Sequence, residues 1–419
     1  MPKLVIEGAK QLNGEIKIQG SKNSVLPILA ATIICDDECI INNCPDLLDV
    51  HTSIEILKYL GCKIKFENST LAVDPRSINR SDIPEYLMRK MRSSIIFLGA
   101  LLSKSGNAKL SLPGGCELGP RPIDLHLDGL RQMGFIIYEN HGYIECKSKY
   151  KLPGCNITLS FPSVGATENL ILASVKSSGI TVINNVAREP EICDLINFLN
   201  KCGAKIKGAG ESTLLIEGVE SLHSAQHSII PDRIVATTYM SAAAITGGTL
   251  LLKNISVKEL DSIIPIFEET GCLINKKSES ALYIESPSRL YPNKLIRTMP
   301  YPGFPTDSQP LIMAMASVAN GTSVFVENIF ENRYKHVGEL LRLGADIKIE
   351  GKVAIVEGVK RLSGANVTST DLRGAAALVI SGLAAEGITT ISDVHHIDRG
   401  YESIEKNLKS LGANIERKN

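Results

Sequence analysis

The sequence predicts an α/β protein of two domains, each built from three βαβαββ units around shared helices. Three observations predict it. One pattern recurs six times, as "LKYLGCKIKF", "LRQMGFIIYE", "LNKCGAKIKG", "FEETGCLINK", "LRLGADIKIE" and "LKSLGANIER", with glycine at 61, 134, 203, 271, 344 and 412. The period of about 70 residues is too long for a solenoid of small repeats. A second pattern precedes each copy, and the sixth copy lacks its last strand, for which the N-terminus offers a match.

Each element follows from its residues. "KLVIEGA" (3–9) alternates as a strand and resembles "LLIEGV" (214–219) and "AIVEGV" (354–359). Upstream in each repeat stands an Ala/Leu-rich helix, a turn usually marked by Gly, and a strand: "LAATIICDDECIINN", "LGALLSKSGNAKLSL", "LASVKSSGITVINN", "MSAAAITGGTLLLKN", "MAMASVANGTSVFVEN" and "ISGLAAEGITTISD". The decapeptide follows as the end of an amphipathic helix, a glycine at its C′ position, and an alternating strand. A further strand comes next in five copies: "STLAVDP", "GYIECKS", "STLLIEGV", "SALYIES" and "VAIVEGV". The sixth copy ends at "GANIERKN" without one. If residues 3–9 supply it, one domain spans 21–230 and the other spans 1–20 plus 231–419. The chain then crosses between domains twice, an arrangement suited to a hinged cleft.

Composition narrows the function. The chain has 419 residues, 44% hydrophobic and 21% charged, which supports sizeable cores. Forty-five basic residues balance forty-five acidic ones, so no overall field draws nucleic acid or an anionic membrane. The start lacks the apolar run of a signal peptide, and no apolar stretch reaches membrane-spanning length. The ten cysteines form no CxxC pair. Cys35, Cys39 and Cys44 look grouped, but "IICDDECIINNC" reads as helix end, turn and strand. His223 and His227 stand four apart without an HExxH pattern. The expectation is a reduced cytoplasmic protein with no metal and no cofactor.

No GxGxxG fingerprint, P-loop or GxSxG elbow is present. Charge instead recurs among turn residues: "SKNS", "MRSS", "GCELGPRP", "AREPE", "IIPDR", "GFPTD", "ENRY", "TDLRG" and "IDRGY". Several guanidiniums facing one cleft hold a small, highly charged anion, because Arg pairs bidentately with carboxylate and phosphate. In 111–122, "SLPGGCELGPRP", a cysteine stands on a Gly/Pro-rich loop with an arginine five residues later.

Along its whole length the chain resembles the enolpyruvyltransferase family, through "GSKNSVLPILAA", "PGGCELGPRPIDLH", "PSVGATEN", "AREPEI", "PDRI", "YPGFPTD", "ENRYKHV", "TDLRG" and "IDRGYE" in order. The family fold has two such domains, each an inside-out α/β barrel. The resemblance implies transfer of the carboxyvinyl group of phosphoenolpyruvate to the 3′-hydroxyl of UDP-N-acetylglucosamine, through a tetrahedral ketal, with release of phosphate. Those two small molecules are the expected partners, with no nucleic acid and no membrane. By the same resemblance Lys22, Arg121 and Arg399 take the phosphate of phosphoenolpyruvate, and Arg333 with Arg373 its carboxylate. Asn23 and Arg92 line that site. Asp307 is the candidate base for the sugar hydroxyl, against the alternative of a helix N-cap. Cys116 either protonates the methylene carbon or aids product release. Arg121, Pro122, Asp124, Leu125 and His126 match positions around the uracil. Ser163, Val164 and Gly165 match a backbone nest for the diphosphate. Asp232 and Glu331 lie in substrate-proximal motifs. Relatives often carry Lys where this chain has Phe161. A shikimate-pathway synthase of the same fold lacks the PGGC loop, and a non-catalytic nucleotide-sugar sensor would not need Lys22, Cys116, Asp307 and Arg399 together.

Overall fold

The computed structural model describes residues 2–114 and 123–418. These divide into two compact units, one of residues up to Gln19 and from Pro231 onward, the other running from Gly20 to Ile230.

Six four-stranded sheets, three per unit, share one topology. In the second repeat Asp82–Ile83 runs parallel to Asn107–Ser111, which pairs antiparallel with Tyr143–Lys147, which pairs antiparallel with Ile136–Asn140. The third repeat (Asn156–Thr158, Ile180–Asn184, Thr213–Glu217, Lys205–Lys207) and the fifth (Leu295–Arg297, Thr322–Val326, Val353–Glu357, Asp346–Glu350) follow the same order. Each repeat thus turns on a helix between its two parallel strands and a second helix before its hairpin, as a parallel crossover requires. The glycine after that second helix has positive φ in all six repeats, from 89° to 106°. That left-handed conformation ends the helix and releases the chain into the next strand.

The remaining sheets close by borrowing strands from distant sequence. In the sixth sheet Lys3–Glu7 lies between Ile388–Ser392 and Asn414–Lys418, antiparallel to both. Its register sets Leu4 opposite Ile391 and Ile6 opposite Ile415, and both Leu4 and Ile6 are fully buried. Asn13–Lys17 runs parallel to Thr249–Lys253 and completes the fourth sheet. In the other unit Gln226–Ser228 runs parallel to Cys39–Asn42 and completes the first. The sequence reading did not identify these last two strands, because three to five residues without strong alternation give no periodic signal.

The helices between the parallel strands are the cores of the units. In one unit Arg233–Thr246, Gln309–Ala316 and Leu372–Ala384 pack on one another. In the other, Phe97–Ser105 packs against both Lys22–Ala31 and Val164–Ser174. Burial all round explains their Ala-rich, weakly amphipathic composition. Gly99 marks the closest approach: a Cβ there would stand 2.3 Å from the Asn169 carbonyl oxygen. Among the described residues no helix is long and apolar enough to cross a membrane.

The borrowed N-terminal strand carries a test. Deleting residues 2–8 leaves two strands of the sixth sheet without their shared partner and should abolish soluble, cooperatively unfolding protein. Ile6→Ala should cost about 2–5 kcal/mol in a urea titration. A truncated protein with an unchanged unfolding midpoint would refute this role.

Candidate active site

The three-fold repeat puts the N-termini of three central helices at one end of each unit. Several of the expected site residues stand there. In the unit beginning at Pro231 these are Asp232, Asp307 and Arg373.

Asp307 lies in the short 3₁₀ turn Thr306–Ser308 that leads into Gln309–Ala316. Its carboxylate is shared: Arg333 Nη2 donates to Oδ1 at 3.1 Å and Arg373 Nε to Oδ2 at 3.1 Å. Arg333 also donates through Nε and Nη2 to the Thr306 carbonyl, at 3.0 and 2.8 Å, and its side chain is 1% exposed. Glu327 fixes the surrounding turns. It accepts from Thr306 Oγ1 at 3.1 and 3.0 Å and from the backbone N–H groups of Ile329 and Phe330 at 2.8 and 3.0 Å. The buried Glu327 was not foreseen, since nothing local distinguishes it from a strand-end glutamate.

Arg373 is the second residue of Leu372–Ala384, whose N-cap Asp371 accepts from the N–H groups of Arg373 and Gly374 at 3.1 Å each. A Cβ on Gly374 would come within 2.5 Å of Asp371 Oδ2, so the glycine admits the cap. Arg373 Nη1 donates to Tyr401 Oη at 3.3 Å, and Tyr401 Oη stands 2.9 Å from Thr238 Oγ1. Burial alone would lower the Arg373 guanidinium, but Tyr401, Asp307 and Asp232 together hold it above its ordinary value. It is a permanent cation. Asp232 caps Arg233–Thr246 by accepting from Ile234 and Val235 N–H at 2.9 and 3.0 Å. His336 donates Nδ1–H to the Arg333 carbonyl at 3.2 Å, and burial, reinforced by the Arg333 charge, pushes its pKa down to about 4. Arg399 is half-buried at the end of the short helix His395–Asp398, two residues before Tyr401. Glu331 is exposed, two residues before Arg333.

In the other unit Lys22 opens Lys22–Ala31, and its Nζ lies 2.8 Å from the buried Asp49 carboxylate. Asn23 is half-buried beside it. Arg92 opens the 3₁₀ turn Arg92–Ile96, which runs into Phe97–Ser105. Ser163 caps Val164–Ser174, its Oγ accepting from Ala166 N–H at 3.4 Å. Asp124 and Leu125 stand in the first turn of Asp124–Met133, exposed and half-buried respectively. Phe161 is 42% exposed, just upstream of the Ser163 cap. Cys116, Arg121 and Pro122 lie outside the described residues.

His126 has a defined tautomer. Asn169 Oδ1 accepts from Gly99 N–H at 2.7 Å, which orients the amide. Its Nδ2 then donates to the Ile95 carbonyl at 3.0 Å and to His126 Nδ1 at 2.7 Å. In the neutral ring the proton is on Nε2, which faces Gly165: a Cβ there would be 3.3 Å from Nε2 and 3.0 Å from Cε1. Burial, helped by the Arg92 charge, pushes the His126 pKa down to about 3. Asn169, in "PSVGATEN", was the available signal for this network, but only the fold shows what it orients.

Residues 6–408 match the protein family described as EPSP synthase (3-phosphoshikimate 1-carboxyvinyltransferase). The chain belongs to this family. Within the EPSP synthase family it is 52% identical over 417 residues to the UDP-N-acetylglucosamine 1-carboxyvinyltransferase 2 of Caldanaerobacter subterraneus subsp. tengcongensis, covering 100% of both chains. It is 48% identical over 419 residues to the UDP-N-acetylglucosamine 1-carboxyvinyltransferase of Desulfovibrio desulfuricans, covering 100% of this chain and 99% of that one. The crystal structure of the enolpyruvyl transferase NikO from Streptomyces tendae superposes with a TM-score of 0.90 at 26% identity, over 99% of this chain and 98% of that one. An EPSP synthase from Acinetobacter baumannii shares the fold at a TM-score of 0.77, with 18% identity and full coverage of both chains. The family fold read from the repeats is therefore the fold of this chain.

The His126 assignment is testable. Nitrogen-detected NMR of the ring should show a neutral Nε2–H imidazole from neutral pH down to about 4. The unfolded ring titrates near 6.5 and the folded one near 3, so this group favours unfolding progressively as pH falls through that window. A ring that protonates near pH 6.5 in the folded protein would overturn the assignment.

Proposed function

We infer that this protein transfers the carboxyvinyl group of phosphoenolpyruvate to the 3′-hydroxyl of UDP-N-acetylglucosamine, the entry step of peptidoglycan synthesis. The observation that carries the reading is the Asp307 carboxylate held between Arg333 and Arg373. A base and two anion clamps in one cluster suit an anionic acceptor of a nucleophilic hydroxyl. The relatives' names supply the substrates.

The chemistry follows from the groups in hand. In the resting cluster two cations stabilise the Asp307 carboxylate and make it a poor base. The carboxylate of phosphoenolpyruvate competes with Asp307 for both guanidiniums. Where it wins, Asp307 regains basicity beside the bound anion. The 3′-hydroxyl then gives its proton to Asp307 as its oxygen bonds to C2 of phosphoenolpyruvate. C3 takes a proton, and a tetrahedral ketal results that still carries phosphate. Loss of a proton from C3 restores the double bond as the C2–O bond to phosphate breaks. No electrons change hands, and no cofactor enters the balance. Lys22, Arg121 and Arg399 neutralise the departing phosphate, and Asn23 and Arg92 line the same site. Cys116 serves C3 protonation or product release.

On the acceptor side, the N-terminus of Val164–Ser174, with Ser163, Val164 and Gly165, receives the diphosphate. Asp124, Leu125, His126 and Pro122 surround the uracil, and Asp232 and Glu331 stand near the sugar. Exposed Phe161 supplies no cation to the diphosphate, so the helix N-terminus carries more of that charge. Both substrates are water-soluble anions, and the reading places the enzyme in the cytoplasm.

Phosphate release is the direct test. It should require UDP-N-acetylglucosamine together with phosphoenolpyruvate and should not occur with shikimate 3-phosphate as acceptor. Asp307→Asn should lower kcat by about 10²–10⁴-fold. Release with shikimate 3-phosphate alone would refute the assignment, and an Asp307→Asn enzyme of normal kcat would refute the base.

Cys116 gives a second test. A small phosphonate epoxide such as fosfomycin resembles phosphoenolpyruvate in charge and should alkylate Cys116 before the other cysteines. Cys116→Asp should keep turnover and lose that sensitivity, since a carboxylic acid donates a proton but is a poor nucleophile toward an epoxide. Peptide mapping that finds the adduct mainly elsewhere would sink the proposal.

A further inference from the structure

Three cysteines to which no step of the reaction is assigned meet in the unit from Gly20 to Ile230. Cys35 ends the 3₁₀ turn Thr32–Ile34, Cys39 begins the strand Cys39–Asn42, and Cys202 ends the helix Pro190–Lys201. All three are fully buried, and their sulfur atoms lie within 4.8 Å of one another. Among the described residues no other His, Cys, Asp or Glu group joins them, and no second cluster of this kind occurs. The sequence reading grouped Cys35 and Cys39 with Cys44. The fold leaves Cys44 out and brings in Cys202 from two repeats away.

The surroundings suit anionic sulfur. Lys104 donates to the Cys35 carbonyl at 3.2 Å, and its Nζ lies 4.0 Å from Asp36. Lys176 approaches the same Asp36 at 3.9 Å, with its side chain 19% exposed. Two ammonium groups thus flank Asp36, in the turn between Cys35 and Cys39. That turn, Asp36 to Glu38, is exposed and offers the way in. A purely apolar core would gain nothing from setting three thiols face to face.

We propose that Cys35, Cys39 and Cys202 form a three-coordinate thiolate site for a soft d¹⁰ cation, with cuprous copper the best fit. Soft thiolates select Cu(I) or zinc among biological metals. A trigonal ion with metal–sulfur bonds of about 2.3 Å needs sulfurs about 4 Å apart, and the three sulfurs lie within 4.8 Å of one another. Structural zinc takes four ligands, and a fourth is not in reach here. The bound ion would tie the first repeat to the third, beside the strand Gln226–Ser228 that closes the same unit. Its role is a staple across the closure, separate from the chemistry at Asp307.

The test uses the reduced, full-length protein without oxygen. Titrated with Cu(I) against the chromophoric chelator bicinchoninate, the protein should withdraw one equivalent. X-ray absorption should show three sulfurs at about 2.3 Å and no nitrogen or oxygen ligand. Cys35→Ala and Cys202→Ala should each lose that equivalent, while Cys116→Ser and Cys193→Ser should keep it. Copper left on the chelator, binding that survives Cys35→Ala, or a sphere of two sulfurs would overturn the proposal. Zn(II) held in a four-ligand sphere in preference to Cu(I) would overturn it too. The absorption measurement on the unmodified protein decides the matter if the alanine variants fail to fold.

Discussion

Everything in this molecule depends on the packing of three nearly all-buried helices at the centre of each unit. Helices this close need small residues, and the Ala-rich faces of Arg233–Thr246 and Leu372–Ala384, with Gly99 against the Asn169 carbonyl, supply them. The packing has an electrostatic consequence. Equivalent helices in equivalent repeats point the same way, so their positive N-terminal ends gather on one side of each unit. Unpaired N–H groups there must be satisfied, and Asp232, Asp371 and Ser163 do so as caps. The same ends are natural seats for anions. The fold thus gathers positive helix ends on one face before any specific arginine is considered.

On that face the arginines pose a second constraint. A buried guanidinium costs several kcal/mol unless it is paired. Arg333 and Arg373 are almost fully buried; Asp307 pairs with both, Asp371 stands 3.9 Å from Arg333, and Asp232 acts on Arg373 as well. Asp307 itself is 28% exposed, so the open side of the cluster is its acidic member. An incoming carboxylate can take over its role at both cations without a gap in neutralisation. In the proposed reaction, binding of one anion and release of a base are then the same event. Arg333, anchored on the Thr306 carbonyl, keeps the backbone beneath Asp307 in place during the exchange.

The fold was legible because it is repeated. A glycine in the left-handed conformation after an amphipathic helix leaves a strong local mark, and six such marks at one period outweigh the ambiguity of any single one. The strand Lys3–Glu7 was legible for the same reason, as a copy of its counterparts in other repeats. Gln226–Ser228 was not, since three residues carry no pattern. At the site, residue types near turns were visible, but their commitments were not. Asp307 read as a base with a helix cap as the alternative, and its contacts with Arg333 and Arg373, from other repeats, left no mark in the sequence. The orientation of His126 through Asn169, the partnership of Lys22 with Asp49, and the meeting of Cys202 with Cys35 and Cys39 all join residues far apart in sequence. A single chain holds no local trace of such contacts.

Closure by distant strands also orders the folding of the two units. The unit from Gly20 to Ile230 has all its strands within one continuous stretch, the last being Gln226–Ser228. It can finish as soon as that stretch is available. The other unit cannot. Its fourth sheet needs Asn13–Lys17 against Thr249–Lys253, and its sixth needs Lys3–Glu7 against strands at 388–392 and 414–418. Until the last of these is made, the N-terminal strand has no place to pair. Loop-closure entropy rises only slowly with length, so the final cost of joining the ends is modest. The delay is nonetheless real, because non-local pairing must wait for its partners. During it the alternating segment "KLVIE" is an unpaired strand with two large apolar residues, flanked by Lys3 and Glu7. Those flanking charges oppose edge-to-edge association of the waiting strand, the same means by which exposed edges are kept apart in finished sheets. The polar ends of Lys3–Glu7 therefore serve the chain before the sheet exists, and its apolar centre serves it afterwards.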